Sequence, residues 1–375
     1  MGYWAINTLI VFGLCVLFAG VLIPQILLIA YRRNLFDEVN ERKIHKGLIP
    51  RLGGIAFEPV ILFSIAITLG GNVRLGINSF GDAFIAYAPL MITAFCSVQL
   101  LYLVGIADDL IGVKYRAKFV VQLVCSVMLM VGGCYFSTMS GVFGIDRFPA
   151  WIAYPFTALV IIFIINAINL IDGIDGLASG LSGCATVIYG VSFFYLGEYA
   201  LCIVAFATLG VLLPFFYYNV FGNVKKHSKI FMGDTGSLTI GLILCMLGIK
   251  LYTHRAEDVL EFDPAILAFS PLIVPAFDVI RVYFRRIRNH KSPFLPDKSH
   301  IHHKFLDAGL KPHTAMVTII CVSLLFTLVN LALSHWININ LIIILDILAW
   351  IPLNLILNNR IARHQDKLKA EANAQ

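Results

Sequence analysis

The sequence predicts an all-α, polytopic integral membrane protein, and three observations carry that prediction. Hydrophobic residues make up 59% of the 375 and charged residues only 13%, against about 45–50% and about 25% in soluble domains. Apolar windows of about 20 residues, the length that crosses roughly 30 Å of hydrocarbon, recur along nearly the whole chain. The Lys and Arg residues fall almost wholly into alternate loops between those windows.

In chain order the expected spans, about eleven transmembrane helices, are 5–31, 53–70, 84–107, 118–138, 150–170, 181–196, 199–217, 235–252, 264–284, 314–335 and 338–357. The first has no basic segment before it, since the first Lys or Arg is Arg32, so it reads as a retained span and not a cleaved signal peptide. The second follows the basic stretch RKIHKGLIPRLGG. The third ends on Asp108 and Asp109, and the fourth begins at Lys118. The fifth runs into NAINLIDGIDGLASG, behind which the sixth and seventh follow with the shortest boundary in the chain. The eighth stands behind IFMGDTGSL, and the ninth runs into RRIRNHKSPFLPDK. With the tenth and eleventh these form one transmembrane domain, 1–357, followed by a charged tail, 358–375. There is no soluble domain, low-complexity tract or internal repeat.

Loops 32–52, 108–118, 171–180, 218–234 and 281–313, with the tail, hold 24 of the 28 Lys and Arg; the opposite side holds only Arg74, Arg147, Lys250 and Arg255. By the positive-inside rule the basic side is cytoplasmic, the N-terminus is outside and the C-terminus inside, as an odd number of spans requires. The net charge of +6 is then mostly a topology signal, suited also to anionic lipid head groups and anionic substrates. The eight cysteines lie inside or at the ends of apolar spans without a CxxC pair, and read as packing residues.

Four clusters lie on the basic face. VGIADDLIGVKYRAKF carries Asp108 and Asp109, then Lys114, Arg116 and Lys118. NAINLIDGIDGLASG carries Asn169, Asp172 and Asp175. IFMGDTGSL carries Asp234 between Gly233 and Gly236. PDKSHIHHKF carries His300, His302 and His303 beside Lys298 and Lys304. Each has a bland reading. Asp172 and Asp175 suit a turn, Asp234 suits a helix N-cap, and the histidines suit a solvated loop or a poor zinc template. Asp108 and Asp109 fit worst as mere helix ends, because carboxylates are unfavourable at a helix C-terminus. Taken together, at least five carboxylates on one face would repel one another without a cation among them. All-oxygen ligands suit Mg²⁺ or Mn²⁺, and Mg²⁺ takes only one or two carboxylates plus phosphate oxygens and water, so a phosphorylated substrate is implied. Lysines and histidines then serve as counter-charges for a pyrophosphate.

These four motifs, in this order and with the basic RKIHKGLIPRLGG ahead of them, resemble the polyprenyl-phosphate N-acetylhexosamine-1-phosphate transferases, glycosyltransferase family 4, over roughly residues 40 to 310. The HIHH motif is closer to the branch that uses UDP-N-acetylglucosamine than to the muramoyl-pentapeptide branch, whose last motif is a run of consecutive histidines. The resemblance implies catalytic roles for Asp108, Asp109 and Lys118, with Asp108 as base and Lys118 facing a phosphate. It implies that Asn169 and Asp234 hold the metal. It also implies substrate contacts from Asp172, Asp175, His300, His302, His303, Lys46 and Arg51, with Asp175 near the uridine. The family's asparagine about ten residues before Asp234 is absent at that spacing, Asn223 standing eleven before it and Asn219 fifteen.

The expected activity is transfer of a phospho-N-acetylhexosamine, GlcNAc-1-phosphate, from a UDP-sugar to undecaprenyl phosphate, with release of UMP. Its product would start a cell-envelope polysaccharide such as O-antigen or teichoic acid. The expected partners are the UDP-N-acetylhexosamine, undecaprenyl phosphate and membrane lipid, with no nucleic acid and a homodimer as the candidate assembly. The expected location is the bacterial inner membrane, with the site on the cytoplasmic face. The alternatives are a phospho-N-acetylmuramoyl-pentapeptide transferase and, from another class, an ion-coupled transporter. Transporters place their carboxylates near the midplane on broken helices, often with repeat symmetry, whereas these acids gather at one edge.

Overall fold

The computed structural model describes residues 1–36, 49–139, 141–145, 147–254, 263–290 and 299–373. Lys46 and Lys298, both expected near the substrate, lie outside the described residues. The chain runs as α1 (Gly2–Arg33), α2 (Phe57–Arg74), a short α3 (Ser79–Ala86), α4 (Ala88–Ile111), α5 (Tyr115–Val131), α6 (Ala150–Ile171) and α7 (Leu177–Tyr195). It continues as α8 (Tyr199–Val220), α9 (Gly233–Tyr252), α10 (Pro264–Phe269), α11 (Ile273–Arg288), α12 (Ile301–Asp307), α13 (Pro312–Leu333) and α14 (Ile339–Asn373). Among the described residues there is no strand, only an isolated bridge between Thr138 and Arg147. All eight cysteines are free thiols; five are buried, Cys184 is half-buried, and Cys96 and Cys321, expected to pack, are exposed.

Ten helical segments among the described residues are long and apolar enough to cross a membrane. The fourth expected span is the exception: α5 has 17 residues, about 25 Å at the α-helical rise, because its apolar run ends at Gly132 and Gly133. It still travels from one end of the bundle to the other. Lys118 in its first turn meets Asp234 at the start of α9, and α6 returns to that same place with Asn169. Among the described residues, α5 and these ten segments together make eleven elements that traverse the bundle.

The ninth expected span is a broken helix. Pro271 sits in a 3-10 turn, Ser270–Leu272, between α10 and α11, where a ring without an N–H cannot continue the α-helical ladder. Below the break, Val274, Asp278, Val282 and Arg286 form a buried i, i+4 stripe on α11.

Helix α9 is the axis of the molecule. Almost every residue from Thr235 to Leu251 is buried, against α4, α6, α7 and α10. Close approach of α4 depends on Gly105, where a Cβ would lie 2.4 Å from Thr235 Cα. The basic stretch after α1 returns to the same end: Phe231 N–H donates to Pro50 O, Gly53 N–H to Phe231 O and Gly54 N–H to Met232 O, each at 2.9 Å. These contacts gather the C-terminal ends of α4 and α6, the N-terminal end of α9 and the Pro50–Gly54 segment at one end of the bundle. Tyr31, near the end of α1, packs its ring 4.2 Å from that of His227, in the approach to α9. Helix α14 reaches the same end through Asn354 and continues as one helix through the charged tail to Asn373. The N-terminus thus lies at the end away from this cluster and the C-terminus at the end that holds it.

Candidate active site

The site is built around the first turn of α9. Gly233 opens that turn with φ 74°, a left-handed conformation that only glycine adopts at no cost, and a Cβ there would meet Arg51 O at 2.3 Å. The helix has no N-cap side chain of its own. Its donors are satisfied instead from α4: Asp109 Oδ1 accepts from Asp234 N–H at 2.8 Å, and Oδ2 accepts from Thr235 N–H at 2.9 Å and Thr235 Oγ1 at 2.6 Å. A carboxylate at a helix N-terminus meets both orphan N–H groups and the positive end of the helix dipole. Asp109, expected beside Asp108 at the reacting phosphates, is therefore committed through both oxygens to α9.

Asp108 faces the other way. Its Oδ1 accepts from Val113 N–H at 2.6 Å, which closes the α4–α5 turn, and its Oδ2 lies 3.2 Å from Lys118 Nζ. The same ammonium lies 2.6 Å from Asp234 Oδ2. Asp234 Oδ1 accepts from Asn169 Nδ2 at 3.2 Å, and Asn169 Nδ2 also donates to Ser237 Oγ at 2.8 Å. Lys118, Asp108, Asp234 and Asn169, spread over 127 residues of sequence, thus form one half-buried cluster with a cation between two carboxylates.

Beyond Asn169 the chain leaves α6 at Asp172. Its carboxyl is pushed up to about 7, first by burial and then by the Asp234 carboxylate, with the Arg51 charge opposing. Arg51 therefore lies within electrostatic reach of Asp172. Asp175 pairs with Lys229 at 2.5 Å, a partner the sequence did not suggest. The next helix is anchored by Asn219, whose Oδ1 accepts from Gly176 N–H at 2.6 Å and whose Nδ2 donates to Ile230 O at 2.8 Å. Asn223 caps its own turn through Lys225 N–H. Both asparagines of this loop thus have backbone work to do.

The histidine motif docks on the same loop. His302 is buried, and its ring sits directly on Gly173, where a Cβ would lie 2.1 Å from Nε2. Burial, followed by His303 and His300, lowers its pKa to about 3, so the ring is neutral at physiological pH. His300 and His303 flank it, with ring centroids at 5.9 Å and 4.3 Å. His300 Nδ1 lies 2.9 Å from Asp278 Oδ2, on α11. Lys304, expected to add charge at the site, points elsewhere: it is buried against α14 with Nζ 2.8 Å from Asn354 Oδ1. Arg286 is buried on the inner stripe of α11, while Arg285 is exposed.

Asp278 was not among the sequence candidates. The available signal was a carboxylate inside the apolar run IVPAFDVI, a placement that marks function by default in a span. Asp109's role as the cap of α9 had no local signal, since the donors it meets lie 125 and 126 residues away.

Residues 91–252, which carry the two carboxylate clusters, Asn169 and Asp234, match the model of glycosyl transferase family 4. The chain is 30% identical over 347 residues to the probable undecaprenyl-phosphate N-acetylglucosaminyl 1-phosphate transferase of Bacillus subtilis, covering 91% of this chain and 90% of that protein. It is 31% identical over 310 residues to the undecaprenyl-phosphate alpha-N-acetylglucosaminyl 1-phosphate transferase of Yersinia pestis, covering 80% and 78%. The protein of that name from Escherichia coli K12 is 29% identical over 331 residues, covering 86% and 83%. With matches running through every helix that builds the cluster, the chain belongs to glycosyl transferase family 4.

Proposed function

We propose that this protein transfers GlcNAc-1-phosphate from UDP-GlcNAc to undecaprenyl phosphate, releasing UMP and leaving an undecaprenyl-pyrophosphoryl sugar. The observation that carries the proposal is the convergence of Asp108, Asp234, Asn169 and Lys118 at the start of α9, beside the histidine loop and under the polar end of a transmembrane bundle. Such a place lets a phosphate on a lipid in the leaflet meet a phosphate on a soluble donor. The names of the relatives support the acceptor and the sugar.

The donor set fits Mg²⁺ or Mn²⁺. Asp234 and the Asn169 carbonyl would be the ion's hard oxygen ligands, and the lysine already between the Asp108 and Asp234 carboxylates marks where positive charge is favourable. A Mg²⁺ ion takes only one or two protein carboxylates and completes its shell with substrate phosphates and water. The chemistry such an ion supplies when bound is templating of the diphosphate and neutralisation of charge on the leaving UMP.

The residues of the chain do the rest by position. Asp108, held by Val113 N–H and Lys118, takes the proton of the lipid phosphate. A lipid phosphate oxygen attacks the β-phosphorus of the UDP-sugar, and the bond to UMP breaks, with the electron pair leaving on UMP. Lys118 holds a phosphate oxygen, and His300, His302 and His303 face the diphosphate and sugar. Asp175 with Lys229 lies toward the uridine. Asp109 sets α9 in place and takes no part in proton transfer. Positioning and electrostatics supply most of the acceleration, as in other phosphoryl transfers. The count of basic residues and the bacterial relatives support a cytoplasmic-membrane location with the site facing the cytoplasm.

A competition assay in detergent, with undecaprenyl phosphate as acceptor, tests the donor. UDP-GlcNAc is expected to release UMP, and UDP-MurNAc-pentapeptide to be inert. Equal turnover of the pentapeptide donor would move the protein to the muramoyl branch.

A further inference from the structure

We propose that Asp278 is the positioning residue of the histidine motif, holding the His300 ring so that Nδ1–H is bound to the carboxylate and Nε2 is the nitrogen that meets substrate. The inference rests on the transferase reading above and adds a residue to it.

Asp278 is buried in the membrane-embedded part of α11, 1% exposed, where a carboxylate without partners would be costly. It is fully engaged. Oδ1 accepts from Arg281 Nη2 at 2.6 Å and from Ile301 N–H at 2.9 Å, while Oδ2 lies 2.9 Å from His300 Nδ1. Arg281 also donates to Ser299 O. One carboxylate therefore fastens the segment Ser299–Ile301 to the broken ninth span, and the ring at its centre is held through a single nitrogen.

A carboxylate accepts hydrogen bonds and cannot donate them when ionised. Beside Arg281 and a backbone N–H it stays an acceptor, so the proton of the pair resides on Nδ1. The other nitrogen of the ring is then set by the first. Nε2 of His300 makes no hydrogen bond among the described residues, and it lies across the ring from Asp278. The ring lies parallel to that of His302, at 3° and 5.9 Å between centroids. Because His302 in turn sits on Gly173, this chain of contacts runs from α11 to the loop that carries Asp172 and leads back to Asn169.

A purely structural role, fastening Ile301 N–H and pairing Arg281, would leave the ring nitrogens irrelevant, and two measurements separate the two. The first uses the wild-type chain, ¹⁵N-labelled at histidine in nanodiscs, with the His300 signals identified by their loss in His300→Gln. The expected result is a protonated, hydrogen-bonded Nδ1 with Nε2 bare in the neutral form, and a switch to the Nε2–H tautomer in Asp278→Asn, whose amide can donate to Nδ1. A wild-type His300 protonated on Nε2 and bare on Nδ1 would overturn the proposal.

The second is a kinetic cycle. Asp278→Asn is expected to lower kcat by on the order of 10- to 100-fold, the range for loss of an orienting partner, with KM for the UDP-sugar changed by less than about 3-fold. In a His300→Ala background the same change should cost less than about 2-fold, because its effect passes through the ring. Equal losses in both backgrounds would reduce Asp278 to a structural fastener. If the wild-type chain makes no lipid product from any UDP-N-acetylhexosamine, the transferase reading fails, while the nitrogen spectrum still decides the tautomer.

Discussion

Two adjacent aspartates with the same side chain have opposite duties here, and the difference lies in what their oxygens touch. Asp109 satisfies three donors of α9; removing it orphans buried N–H groups at about 1–3 kcal/mol each. Asp108 spends one oxygen on a turn and keeps the other beside Lys118. Asp109→Ala is therefore expected to lower thermal stability in detergent by roughly 2 kcal/mol or more, losing activity as α9 shifts. Asp108→Asn should keep wild-type stability and donor binding within about 3-fold while kcat falls at least about 100-fold. Normal turnover by Asp108→Asn would exclude it as the base.

Asp172 makes a second prediction at this scale. Between its ordinary 3.8 and about 7 the folded protein retains a proton that the unfolded chain has lost. Its contribution to stability is thus present in full below the ordinary value and is lost as pH rises to about 7. In EDTA, Asp172→Asn should remove that share of the decline in Tm between about pH 4 and pH 7. An unchanged pH profile would show that the carboxyl titrates normally.

At the scale of the element, the site depends on how closely α4 approaches α9. Gly105 faces Thr235 with no room for a methyl group, so Gly105→Ala must part the helices that carry Asp108 and Asp234. Activity should fall at least about 10-fold and stability by about 1–3 kcal/mol, the usual cost of overpacking. Wild-type rates in Gly105→Ala would mean that the inter-helix distance is not critical. Most of the spans were legible from hydropathy, because length and apolarity are local properties. The break at Pro271 falls inside what hydropathy predicts as one span, 264–284, since proline in a membrane helix either kinks or interrupts it and composition alone does not choose. The four motifs were legible because their residue types are costly in a membrane and lie in short runs. Their contacts were not. Lys229 meets Asp175 across 54 positions, and Asp278 meets His300 across 22, distances at which only the packed helices decide who is adjacent. Lys304 shows the converse: its neighbours in sequence are site residues, yet its position on α12 turns it to α14.

At the scale of the molecule, the traversing elements among the described residues gather Asp108, Asn169, Asp234 and the histidines at the end of the bundle opposite to that of Gly2. In the proposed reaction, that arrangement brings a membrane-held phosphate and a water-soluble diphosphate to one place. The most direct test of this account follows radiolabel from UDP-GlcNAc into butanol-extractable lipid, with UMP release counted in the same reaction. With purified wild-type protein and undecaprenyl phosphate, label and UMP should appear in equal amounts, cease in EDTA, return with Mg²⁺ or Mn²⁺, and be almost absent in a folded Asp234→Asn variant. No lipid product from UDP-GlcNAc or any close UDP-N-acetylhexosamine would contradict the proposed transfer, and full activity in EDTA would contradict the metal at Asp234.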